Sequence, residues 1–189
     1  MLRRLTYSVS VEVLKGAYFG LVHSHLSYGT LLWGNASRVD CLFKLQKRAI
    51  RVLEVKKYNE SCRALFRELE IMTLTLMFIY LHALKQKLNN IKDFRGSLHS
   101  YNIRNKSDIN LPFRILTKSQ QSPSYMSVKI FNKIPEEIKK LSLNNFKRKL
   151  NVFLITKSYY TIEEFLIRTD LFKTLKLTNV KLIIILLFV

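Results

Sequence analysis

Apolar side chains recur at intervals of three and four along most of this chain, a pattern that predicts an all-α fold, an irregular helical bundle. The first candidate helix runs from about Val11 to Trp33 and aligns Leu14, Ala17, Tyr18, Leu21, Val22, His25, Tyr28 and Leu32 on one face. Gly34 and Asn35 stop it, because both tolerate a left-handed backbone. Ser37 is placed to cap a second helix, with Asp40 three positions on. Wound as a helix, residues 42–53 put Leu42, Leu45, Ala49, Val52 and Leu53 on one side and Lys44, Lys47, Arg48 and Arg51 on the other.

A short helix is expected around Ser61 to Leu69, then a longer apolar one from about Thr73 to Leu88 that aligns Leu76, Ile79, Tyr80, Ala83 and Leu84. Later pieces fall at about Ser124 to Lys133, Pro135 to Leu141 with its proline at a first helical position, Asn145 to Ile155 and Ile162 to Arg168. Residues 89–123 break the pattern. They are rich in Asn and Ser, their basic residues outnumber Asp93 and Asp108, and the stretch is long for an ordinary loop. It reads as a functional segment or as a linker that orders on a partner. The chain thus divides into a helical region at 1–88, a basic irregular segment at 89–123, short C-terminal helices at 124–169 and an apolar tail at 170–189.

Charge changes the picture more than composition does. With 189 residues, 48% of them hydrophobic, the chain is long enough to bury a core, which argues against disorder. Its 32 Lys and Arg against 13 Asp and Glu give a formal net charge of +19, far beyond what solubility needs. The expected partner is polyanionic, either nucleic acid or an anionic membrane surface. Cys41 and Cys62 have no Cys or His at zinc-site spacing and read as two reduced, buried thiols. Too few for a disulfide framework, they favour an intracellular setting, nuclear or cytoplasmic. The N-terminus has no signal-peptide pattern, and the run Leu182 to Val189 is too short to cross a bilayer.

No catalytic apparatus is evident. Glu136 with Glu137, and Glu163 with Glu164, are the acidic neighbours, and each pair is explained by a helix N-terminus that favours negative charge. His23 and His25 are two apart on a predicted helix, so they face different directions and read as packing residues rather than as metal ligands. No nucleophile elbow and no Gly-rich phosphate loop occurs. No cofactor and no metal is expected. The basic stripe is different, since a solvated helix face normally mixes signs and here Glu54 alone offsets Lys44, Lys47, Arg48 and Arg51, with Lys56 and Lys57 just beyond. Phosphate contact is the expected role. A second cluster, Lys147, Arg148 and Lys149, lies opposite Phe146, Leu150, Phe153 and Leu154. Tyr101 and Arg104, with Lys106 close by, pair a stackable ring with cations, which suits unpaired bases.

Five blocks in order, HSHLSYGTLLWGNAS, LQKRAIRVL, SCRALFRELEIMTL, YNIRNKSDINLP and SPSYMSVKIFNKIPEEIK, resemble the carboxy-terminal part of LINE-type, non-LTR retrotransposon reverse transcriptases of the jockey-like group. The resemblance covers about Val11 to Leu166 and implies a thumb and post-thumb region that grips RNA, DNA or an RNA–DNA hybrid beside an upstream palm domain. The polymerase aspartates belong to that palm, and no Tyr or Phe followed by x-Asp-Asp exists in this sequence. The resemblance therefore implies a fragment of an RNA-directed DNA polymerase that is inactive alone. Residues 170–189 match nothing in the family pattern. If about six phosphates are neutralised, the log-log slope of affinity against salt is expected near about −5. The competing reading is a peripheral membrane protein whose polybasic faces meet anionic lipid while the apolar tail inserts; a membrane is not the favoured partner.

Overall fold

The computed structural model describes residues 2–54, 60–89, 93–98 and 107–167, and over these residues the chain is all-α. Extended pairing among them is confined to an isolated bridge between Phe94 and Ile109. The expected first helix is interrupted twice. Helix α1 (Val11–Tyr18) continues through a π-helical turn (Phe19–His23) into one more α turn (Ser24–Ser27). A π turn holds an extra residue and rotates everything after it relative to what came before. Leu14, Tyr18 and Leu26 are therefore buried, whereas Leu21, His25, Tyr28 and Leu32, expected on the inner face, are exposed. Gly29 then adopts a left-handed φ of 65° and separates the short turn Thr30–Trp33. Gly34 ends that turn for a packing reason: a Cβ there would collide with the Phe78 ring and the Thr30 carbonyl.

Helix α2 (Val39–Leu53) forms where expected, but Arg38 occupies the N-cap position and Ser37 makes no cap bond. Its buried side carries Phe43, Gln46, Ile50 and Leu53, with Val39, Leu42 and Ala49 packed partly against the core. Leu45, expected inside, is 54% exposed. The helix is rolled less than a quarter-turn from the expected orientation, because seating Phe43 and Ile50 removes more apolar area from water than Leu45 and Val52 would. Helix α3 (Arg63–Glu68) ends with Glu70 at a left-handed φ of 55°. The Ile71 N–H donates to the Phe66 carbonyl (2.9 Å) and the Glu70 N–H to the Arg67 carbonyl (3.1 Å), which is a Schellman closure with glutamate in the usual glycine position.

Helix α4 (Leu74–Asn89) is buried on nearly every side and joins two apolar clusters. Leu74 and Met77 belong to the first, with α1, α2 and α3; Leu76, Phe78, Ile79 and Ala83 belong to the second. The second is completed by α5 (Pro123–Lys133), α6 (Leu143–Lys157), Tyr159 and Phe165 of the helical residues 162–167. α4 thus ties the region 1–88 to the region 124–169. Pro135, expected as the first helical residue, stands instead at the N-cap, one position before the turn Glu136–Lys139.

The described ends of the irregular segment are fastened to this frame. Asn132 on α5 pairs with both backbone groups of Ile109, accepting from its N–H and donating to its carbonyl at 2.9 Å each, as a neighbouring strand would. Lys139, nearly buried, lies 2.8 Å from the Glu136 carboxylate and 3.6 Å from that of Asp108. Among the described residues no helix is long and apolar enough to cross a membrane.

Candidate nucleic-acid interface

What orients α2 is a polar residue inside the core. Gln46 is fully buried, and its Nε2 donates to the Tyr18 hydroxyl (3.0 Å) and the Met72 carbonyl (2.9 Å). Its Oε1 accepts from the Leu74 N–H (2.8 Å), one of the otherwise unpaired donors at the start of α4. One amide thereby fixes α2 against α1 and α4. Burial pushes the Tyr18 hydroxyl up to about 12 despite its bond to Gln46, so it stays protonated.

With that side fixed, the four cations of α2 fall within roughly 100° of the opposite surface. They do not project alike. Lys44 and Arg48, one turn apart, are exposed. Lys47 and Arg51, also one turn apart, are half-buried and lean toward α3. The Lys47 ammonium sits 4.7 Å over the Phe43 ring and 5.6 Å from that of Tyr160. The Arg51 guanidinium donates twice to the Glu60 carbonyl, at 2.8 and 3.0 Å. The expectation that all four turn outward is corrected here: rolling α2 onto Phe43 and Ile50 carries Lys47 and Arg51 to the edge of the packed surface, and Lys44 with Arg48 form its outer row.

Arg63, which the periodicity did not single out, extends the same surface. It holds the Glu164 carboxylate in two hydrogen bonds of 2.9 and 3.2 Å and lies 4.4 Å over the Tyr160 ring. Glu164 also accepts the Tyr160 N–H (2.9 Å) while its own N–H donates to the Thr161 hydroxyl (3.0 Å), so it helps to close the start of the helical residues 162–167. Glu136 and Glu137 lie in the first turn of their short helix, as the dipole argument expects. Among the described residues no group of three His, Cys, Asp or Glu is arranged to hold a metal ion.

Cys62 is buried as expected, and that burial raises its thiol more than the nearby Arg51 and Lys47 charges lower it. Such a thiol stays protonated and unreactive. Cys41, expected to be buried, is exposed, because the roll of α2 turns it to solvent. His23 packs against the Phe19 ring at 5.0 Å, and burial lowers it from its ordinary value; His25, expected to pack, is exposed beyond the π turn.

In the second basic cluster Phe153, expected on the buried side, is half-buried. On α6 Phe146, Leu150 and Leu154 are buried, Arg148 and Lys149 are exposed and Lys147 is half-buried. Lys56, Lys57, Tyr101, Arg104 and Lys106 lie outside the described residues. Comparison of the chain with protein-family models, curated proteins and solved structures finds no match.

Proposed function

We propose that this chain is a nucleic-acid-binding module that grips phosphates through α2, and that it corresponds to the thumb and post-thumb portion of a LINE-type reverse transcriptase, without polymerase activity of its own. One observation carries the reading: a helix anchored by Phe43, Gln46, Ile50 and Leu53 presents Lys44 and Arg48 on its exposed side, with half-buried Lys47 and Arg51 along the edge. Phosphate contacts position a duplex without reading its sequence, which suits a surface that must accept any template. A guanidinium such as that of Arg48 can pair with two phosphate oxygens, and an ammonium such as that of Lys44 acts as a point charge. The excess of 32 basic over 13 acidic residues supplies the surrounding field.

The test is charge reversal on the outer row. A Lys44→Glu, Arg48→Glu chain should bind an RNA–DNA hybrid at least about tenfold more weakly at low salt while its thermal midpoint stays within a few degrees of the parent. Unchanged hybrid affinity in that folded variant would overturn the proposal.

A further inference from the structure

Several irregularities meet at one cleft of about 320 Å³ between the π turn after α1, α4 and α6. The π turn places Phe19 and His23 on its wall, with their rings 5.0 Å apart. Such turns inside α-helices occur often at functional sites. Glu70 lines the same cleft from a left-handed position where glycine would sit without strain. Asn151 enters from α6, and its Oδ1 is buried without a hydrogen-bond donor. Tyr80 and Ile155 are also on the lining, which is mostly apolar in character.

The chemistry of that lining selects a ligand. Aromatic and aliphatic side chains with a few polar groups, in a volume at the lower end of small-molecule sites, suit a flat ring. Glu70 offers a carboxylate, which accepts, and Asn151 an amide whose oxygen is buried without a donor. They ask for adjacent N–H donors on the ligand. Lys147, half-buried, and Arg148, exposed, lie one turn before Asn151 on α6.

We propose that this cleft takes one unpaired guanine base of a bound strand, packed against the Phe19 and His23 rings with its N–H edge toward Glu70 and Asn151, and its phosphate on Lys147 and Arg148. This rests on the nucleic-acid reading above and gives the second basic cluster a role within it.

The test uses the full chain and a short uridine-rich RNA with one central guanosine, compared by fluorescence anisotropy with the same RNA carrying inosine, which lacks the exocyclic amine. The guanosine strand should bind about tenfold more tightly. Glu70→Gln should erase that difference. Glu70→Gly should erase it too while raising the thermal midpoint, since glycine relieves the left-handed backbone. Equal affinity for guanosine and inosine strands in the parent chain overturns the cleft assignment and leaves phosphate gripping intact. Failure of every strand, and of an RNA–DNA hybrid, to bind at low salt overturns both.

Discussion

At the scale of single residues, the features hardest to read in the sequence are buried polar groups. Gln46 lies among cations in KLQKRAI and carries no apolar signal, yet it is the residue that joins three helices. His82 is a second case. It is fully buried beside Phe78, with its Nδ1 2.8 Å from the Ser127 hydroxyl, and burial, with a smaller contribution from Lys85, pushes it down to about 4. The folded state therefore holds this ring neutral, while the unfolded chain takes up a proton near its ordinary value of 6.5. Stability contributed by the neutral ring is complete above about pH 6.5 and is lost as pH falls from there toward about 4. Half-buried His23 is lowered as well and acts in the same sense. The urea midpoint should be clearly lower at pH 5 than at pH 7, and His82→Gln should shrink that difference. An equal difference in the two chains would remove His82 from the account.

At the scale of elements, helix existence was legible and helix phase was not. The periodicity of α2 announced a helix with a charged side, but Leu42, Leu45, Ala49 and Val52 fit a stripe nearly as well as Phe43, Ile50 and Leu53, and only the partners α1 and α4 decide between them. In α1 the phase was lost at the π turn, which leaves a sequence of ordinary helix formers with one glycine, Gly20, inside it. α4 has no solvated side to betray its orientation, since it joins both apolar clusters. The irregular segment was recognised by composition, but its anchor was not. Asn132 sits on α5, more than twenty positions from the Ile109 backbone it pairs with. Asn132→Ala leaves both backbone groups of buried Ile109 unpaired, and should cost about 2 kcal/mol in urea denaturation. It should also speed proteolysis within residues 107–116. A cost below about 0.5 kcal/mol with unchanged cleavage would mean that the segment is held by other contacts.

At the scale of the whole molecule, the pattern and the charge point the same way. Two apolar clusters bridged by α4 give α2 and α6 fixed backs, and each carries cations on its outer side. The net charge of +19 was plain from composition, whereas its division into an outer row at Lys44 and Arg48 and a packed row at Lys47 and Arg51 depended on the roll of one helix. The most direct measurement is the salt dependence of binding to an RNA–DNA hybrid, run on the parent chain and on a Lys44→Ala, Arg48→Ala variant. If these side chains meet phosphates, the parent slope is steep and the variant's log-log slope is shallower by about 2, at about 0.9 per phosphate released. Parallel slopes would contradict the claim that α2 lies along the nucleic-acid backbone.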